Sequence, residues 1–257
     1  MSTVLDSIIA GVREDLASRK KTKPNYSDEI KSVKKALDVY AALSTGKMEI
    51  IAEVKRSSPS KGELAAISDP SKLALEYEKA GAAVVSVLTE ERRFKGSIQD
   101  FQSVRKELTI PMLRKDFIVD EYQVYESRAI GADMQLLIVA ALSKTELLDF
   151  YQLANELEMA SLFEVHSLPE LEIAMSINPK IIGVNSRNLK TLEVDPSAFD
   201  LIIPRIPSEI IKVGESGISN RTEVAHLETL GANAILVGET LVKAPSAKDA
   251  ITNLLGS

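Results

Sequence analysis

The sequence predicts a (β/α)8 barrel of the α/β class, with an N-terminal helical extension. Three observations carry this prediction. Eight short apolar runs recur along the chain, at 50–54, 84–88, 111–114, 134–138, 161–164, 181–184, 210–213 and 234–237. They are near-continuously apolar rather than alternating, as strands of a parallel sheet buried on both faces must be. A joint also repeats ahead of three of them: Ala80-Gly81-Ala82, Ile130-Gly131-Ala132 and Leu230-Gly231-Ala232. A glycine just past a helix closes it in the left-handed conformation, and a small residue then leads into the strand. A doubly wound open sheet is the competing architecture. It is expected to carry a glycine-rich turn after its first strand, and none stands there.

The stretches between the runs carry helix signals. Asp69-Pro70 is an N-cap followed by proline at the first helical position, with Leu73, Tyr77 and Ala80 on one face. Ser143 with Glu146, and Ser167 with Glu170, have the spacing of capping boxes. Asp195-Pro196 and Ser219-Asn220 open two later helices. Eight strands alternating with helices over 257 residues give the barrel, assigned to 49–257 as one domain with its extension, 1–48. In the extension, Val4, Ile8 and Val12 with Leu5, Ile9 and Leu16 make one helical stripe, broken by Arg19-Lys20-Lys21 and Pro24. Ile30, Val33, Leu37 and Tyr40 have the spacing of a second helix. Periodicity leaves open whether these helices cover the top or the bottom of the barrel.

Composition narrows the function. Hydrophobic residues are 45% and charged residues 26%, which builds a sizeable core under a solvated surface. A net charge of −6 argues against nucleic acid or an anionic membrane as the main partner. No apolar run is long enough to span a bilayer, and Asp6, Arg13, Glu14 and Asp15 interrupt any secretory signal, so a cytoplasmic protein is expected. There is no cysteine, which excludes thiolate chemistry and disulfides. The two histidines, His166 and His226, are too few and too distant for a histidine-rich metal site. A surface or satisfied role is expected for both, and solvated surface for Arg92-Arg93.

In this fold, chemistry gathers at the C-terminal ends of the strands. There the polar residues cluster. The first strand ends in Glu53 and Lys55, two apart and so on one face. Pro59, Ser60 and Gly62 then open a loop. The third strand ends in Lys115, with Phe117 on the same face, and the fifth in Glu164. The sixth ends in Asn185 and Arg187, the seventh in Glu215-Ser216-Gly217, the eighth in Gly238-Glu239. Buried charges there must be paired or must face a ligand. Rim ion pairs are the plain reading of any one of them. Three acids, two lysines and an amide converging from five strands favour an active site. Gly217 and Gly238, at adjacent strand ends, suggest a phosphate cradle, because glycine lets backbone N–H groups approach an anion.

Four motifs then resemble one family. They are Glu53-Val54-Lys55 with Ser57-Ser58-Pro59-Ser60-Lys61-Gly62, Leu113-Arg114-Lys115-Asp116-Phe117-Ile118, Gly183-Val184-Asn185-Ser186-Arg187-Asn188-Leu189, and Gly214-Glu215-Ser216-Gly217-Ile218. Together they resemble indole-3-glycerol phosphate synthase of tryptophan biosynthesis, over essentially the whole chain. The resemblance implies a lyase that closes an indole ring with loss of carbon dioxide and water from 1-(2-carboxyphenylamino)-1-deoxyribulose 5-phosphate. It implies no metal and no cofactor. By similarity Lys115 is the general acid and Glu164 its acid/base partner. Lys55 holds the substrate carboxylate and assists dehydration with Glu53, and Asn185 orients the sugar hydroxyls. Glu215 and Ser216 complete the pocket, with Arg187 at its edge. Ser58, Gly217, Gly238 and Glu239 line the phosphate region, and Phe94 and Phe117 pack on the aromatic ring. Relatives often carry a second aromatic where Arg93 stands, and some carry serine in place of Glu239. A lysine acid works best with its pKa lowered, and Lys55 is the neighbour expected to lower that of Lys115. Two other readings stay open here. One is an isomerase of phosphoribosylated anthranilate, whose family uses a cysteine base that this chain lacks. The other is a non-catalytic phosphate-binding barrel.

Overall fold

The computed structural model describes residues 3–256. Strands β1 (Glu49–Val54), β2 (Val84–Leu88), β3 (Met112–Lys115), β4 (Met134–Ile138), β5 (Ala160–Val165), β6 (Ile181–Asn185), β7 (Ile211–Glu215) and β8 (Ala234–Val237) are parallel, each beside its neighbours in sequence. β1 pairs with both β2 and β8, so the barrel closes. Closure leaves no strand edge unpaired, and apolar side chains fill both faces of the wall. The three repeated joints behave as their sequence requires: Gly81, Gly131 and Gly231 all have φ near +90°.

Several strands run further than their apolar runs. The ladder continues into the polar tips through the pairs Leu88 with Lys115, Ile138 with Glu164 and Asn185 with Glu215. Pro111 falls outside β3, since it has no N–H to give; its carbonyl accepts from Val85. The tips therefore belong to the sheet, and their side chains inherit its rigidity.

The barrel helices are α4 (Pro70–Lys79), α5 (Ile98–Glu107), α6 (Glu121–Ala129), α7 (Lys144–Glu156), α8 (Leu168–Met175), α9 (Ser197–Ile202), α10 (Arg221–Thr229), α11 (Glu239–Lys243) and α12 (Ala247–Leu255). Asp69 and Ser143 cap as read from the sequence, the latter in a complete box. Two cap readings need correction. Asp195 lies two residues before α9 and accepts from the Ser197 N–H, leaving Pro196 at the cap. Ser167 does cap α8, but the Glu170 carboxylate turns to His166 instead of closing a box.

The extension covers both ends of the barrel. Helix α1 (Val4–Thr22) buries Leu5, Ile8, Val12 and Leu16. Arg19, Lys20 and Lys21 do not break it. They form its last turn, where cations suit the helix dipole, and the helix stops before Pro24. Ile8 reaches the cavity at the C-terminal ends of the strands. Arg92 pairs with Glu14 and Asp15, and Arg93 donates to Ser7, so this half-exposed run ties the loop after β2 to α1.

The second expected helix is not one helix. Short α2 (Ser27–Ser32) and α3 (Val39–Leu43) are separated by a stretch without regular structure at 34–38. There the Leu37 N–H goes to Asp133 and the Lys34 carbonyl accepts from Arg128. Both partners flank the start of β4, at the opposite end of the barrel from the cavity. Extended chain advances about twice as far per residue as a helix, so few residues cover the barrel's height. Helix α3 then sits beneath the barrel, with Tyr40 under the Lys180 ammonium just before β6.

Candidate active site

Strand tips and their loops enclose two joined cavities at the C-terminal end of the barrel. Glu53, Lys55, Lys115, Arg187, Ser216 and Glu239 line both. Glu164, Asn185, Ser58, Phe94 and Phe117 line the deeper one, Glu215, Gly217 and Gly238 the outer one. The structure thus brings together all fourteen residues singled out from the sequence.

The charged floor is tightly paired. Glu53 is buried and holds Lys55 Nζ at 2.6 Å. Lys115 Nζ lies 3.2 Å from Glu164 Oε2 and 3.4 Å from Glu215 Oε2. Burial alone would depress the Lys115 pKa, but the carboxylates of Glu164, Glu215 and Glu53 outweigh it and raise the pKa. This corrects the expectation that Lys55 lowers it: the Lys55 charge is spent on Glu53, and Lys115 is surrounded by acidic side chains, with Glu164 the nearest. Burial also acts against the Glu164 carboxylate, yet Lys115 and His166 hold its pKa below the ordinary value. Glu215 goes the other way. Burial and the anionic neighbours Glu164 and Glu53 push it up to about 8, against the pull of Lys115. Its carboxyl packs over Gly183, where any side chain would collide with it.

Neutral walls stand around this floor. Phe94 and Phe117 pack on each other with ring centroids 6.0 Å apart and planes tilted by 40°, and together form an apolar wall of the deeper cavity. Asn185 Oδ1 accepts from the Arg187 N–H, which leaves its NH2 as the free donor. Arg187 itself bridges two loops, donating to Ser60 Oγ and the Leu192 carbonyl. Ser57–Ser58 pairs with Gly62–Glu63 as a small antiparallel hairpin over the cavity.

At the outer end, Ser216 and Gly217 turn the chain off β7 with φ of 67° and 69°. A non-glycine residue in that region is strained, and such strain collects at ligand sites. Gly238 precedes the first turn of α11. Glu239 Oε1 accepts from both Lys61 and Lys243 at 2.7 Å, so the region keeps an excess of cation despite the acid.

Sequence reasoning missed Ile8, Leu136, Ile138, Lys61, Lys243 and His166. Ile8 lay on a recognised stripe, but only the docking of α1 reveals which way it faces. His166 is largely buried, 2.9 Å from Glu170 and 3.3 Å from Glu164. It lies two residues after Glu164, the same spacing that had joined Glu53 to Lys55, and that spacing was the available signal.

Comparison with known proteins agrees with this geometry. Residues 5–254 match the family model of indole-3-glycerol phosphate synthase. The indole-3-glycerol phosphate synthase of Saccharopolyspora erythraea is 51% identical over 257 residues, covering 98% of this chain and 95% of that protein. Indole-3-glycerol phosphate synthase 1 of Streptomyces coelicolor is 50% identical, covering 99% of this chain and 96% of that protein. Among solved structures, a chain of the tryptophan synthase α2β2 complex of Pyrococcus furiosus superposes with a TM-score of 0.62 over 81% of this chain and 98% of its own. It shares 17% identity, a likeness of fold alone. On its matched length and its relatives, the chain belongs to the indole-3-glycerol phosphate synthase family.

Proposed function

We infer that the chain converts 1-(2-carboxyphenylamino)-1-deoxyribulose 5-phosphate to indole-3-glycerol phosphate, carbon dioxide and water, as a lyase of tryptophan biosynthesis. The observation that carries this reading is Lys115, an ammonium held between Glu164 and Glu215 beside a second, independent Lys55–Glu53 pair. The reaction calls for two proton transfers at one carbonyl oxygen, and the floor offers two acid–base pairs.

In this reading the substrate's ring lies against the apolar wall of Phe94 and Phe117, and its carboxylate meets Lys55. The phosphate lies toward Ser58, Gly217, Gly238 and the backbone of Glu239, with Lys61 and Lys243 nearby. Asn185 gives its NH2 to the sugar hydroxyls, Arg187 holds the loop above them, and Ser216 with Glu215 closes the side. The ring carbon bearing the carboxylate attacks the ribulose carbonyl. Lys115, protonated because its anions hold the proton there, passes it to the carbonyl oxygen, and a hydroxyl results. Carbon dioxide departs and leaves its bonding pair to restore the aromatic ring. Glu53 then removes a proton from the carbon next to nitrogen while Lys55 protonates the hydroxyl, which leaves as water and completes the pyrrole. Glu164 stabilises the lysine before transfer; Glu53 returns its proton to Lys55, and Lys115 regains its own from solvent, the one proton that decarboxylation of a carboxylate consumes. No membrane-crossing helix occurs among the described residues, and a phosphorylated intermediate is retained inside a cell, so a cytoplasmic location goes with this reading.

Incubating the protein with the carboxyphenylamino-deoxyribulose phosphate and following indole absorbance tests it. Product should appear in stoichiometric yield. Binding without any indole signal would leave a phosphate-ligand barrel instead.

A further inference from the structure

His166 is a largely buried imidazole that the chemistry above leaves unused; its side chain is 10% exposed and its Nε2 is fully buried. Nδ1 lies 2.9 Å from Glu170 Oε2, and the same oxygen accepts the His166 backbone N–H at 2.8 Å. Glu170 is thus anchored at the start of α8 and holds the ring from behind. Nε2 points the other way, 3.3 Å from Glu164 Oε1, with no hydrogen-bond partner among the described residues. The other oxygen of Glu164, Oε2, faces Lys115. Glu170, His166, Glu164 and Lys115 therefore form one chain of alternating charge running from a helix start to the floor of the cavity.

We propose that His166 is a positioning residue: an imidazolium braced by Glu170 that pins Oε1 of Glu164, leaves Oε2 for Lys115, and keeps Glu164 ionised while Lys115 gives up its proton. The proposal rests on the assignment of Lys115 and Glu164 to the reaction.

The physical case is a competition for one proton. In the loaded site the Lys115 proton can go to the substrate's carbonyl oxygen or to a carboxyl oxygen beside it, of which Glu164 Oε2 is nearer than Glu215 Oε2, at 3.2 against 3.4 Å. A cation on the far oxygen of Glu164 lowers its proton affinity and directs the proton to substrate. It also covers the moment after transfer. With Lys115 neutral, Glu164 would otherwise be a buried carboxylate without a cation, which is costly. Charge balance agrees. Burial disfavours the imidazolium, but Glu164 and Glu170 raise its pKa to about 10. Burial pushes Glu215 toward its neutral form, and the carboxylates of Glu53, Glu164 and Glu170 each face one cation: Lys55, Lys115 and His166. If His166 merely tied α8 to β5, its removal would cost stability and leave the rate alone.

Two measurements decide. His226 is half exposed and pairs with Asp200 outside the cavity, so His226→Gln leaves His166 as the one imidazole of the chain. In that variant, NMR titration of the ring protons should show His166 charged beyond pH 8. Titration near the free value of about 6.5 would overturn the proposal. For the rate, His166→Gln and His166→Ala should lower kcat by roughly 10- to 100-fold, the scale of loss when a catalytic group is misplaced by up to an ångström, and leave KM within about twofold. In a Glu164→Gln background the same changes should add less than about twofold, because their effect runs through Glu164. His166→Gln at wild-type kcat beside a slow Glu164→Gln would overturn this proposal alone, as would a fully additive loss in the double variant. Glu164→Gln at wild-type turnover would overturn the site assignment and this proposal together. Should the alanine variant fail to fold, the glutamine variant and the titration still decide.

Discussion

Gly238 is packed against the carboxylate of Glu53: a Cβ built on it would lie 2.5 Å from Glu53 Oε1, the oxygen that holds Lys55. Gly238 thus has a second duty besides admitting an anion. Gly238→Ala should displace Glu53 and Lys55 and reduce kcat by about 10- to 100-fold, the cost of misplacing reacting groups by an ångström. Gly238→Asp should add a raised KM through repulsion of the phosphate. Steady-state kinetics of the two variants side by side separates these effects. Normal kcat in the alanine variant would mean that the Glu53 contact relaxes at no cost.

Lys115 can be tested as a proton donor rather than a fixed charge. Arginine keeps the charge but holds its proton at any working pH. Lys115→Arg should therefore lose roughly 10²- to 10⁴-fold in turnover, the worth of a positioned proton transfer. Substrate affinity should change much less. The comparison is with Lys115→Ala, after thermal melts show that both fold. Near-normal turnover in the arginine variant beside an inactive alanine variant would reduce Lys115 to a counter-ion.

Glu215 makes a prediction about stability and pH. Its folded pKa of about 8 lies above the ordinary 4.5, mainly because it is buried. Between those values the folded state binds a proton that the unfolded state has released. Its contribution to stability is fully present below about pH 4.5 and is lost as pH rises through about 8. Urea unfolding across that window should show a steeper decline for the wild type than for Glu215→Gln. Parallel curves would mean that Glu215 is ionised in the folded protein throughout.

Behind Lys115, Arg114 is fully buried and donates to Asp116 at 2.9 Å and to Glu126 at 2.7 Å. Glu126 also takes Arg19 and the Tyr26 hydroxyl of the extension. Arg114→Met would leave buried Asp116 without its cation and Glu126 with Arg19 alone, and should cost about 3–5 kcal/mol. Arg19→Gln, at a part-exposed site, should cost no more than about 1 kcal/mol. Denaturant midpoints measure both. Similar small losses would show that water replaces Arg114 in the network.

The barrel and its floor were legible for a common reason. Strands buried on both faces are apolar throughout, so a charge such as Lys115 or Glu164 stands out where the run ends. The αβ joints were legible because only glycine suits a positive φ at Gly81, Gly131 and Gly231. What escaped was set by contacts distant in sequence. Ile30, Val33, Leu37 and Tyr40 have perfect helical spacing, yet Asp133 and Arg128 satisfy the backbone between them and no helix is needed. His166 escaped because a lone histidine before a cap reads as surface until Glu170, four residues on, is seen to hold it in.

The brace between Arg19 and Glu126 joins residues 107 apart in sequence, and this has a consequence for synthesis. Helix α1 is the first described element to leave the ribosome, but the surface it packs on is made much later. Most of a helix's stability in a protein comes from packing its apolar face rather than from propensity, so α1 remains a loose amphipathic segment with its apolar stripe exposed until α6 has emerged. The roof of the site is thus written first and closed late. Nascent chains stalled before residue 126 should exchange the amide protons of α1 freely, and chains stalled well beyond it should protect them.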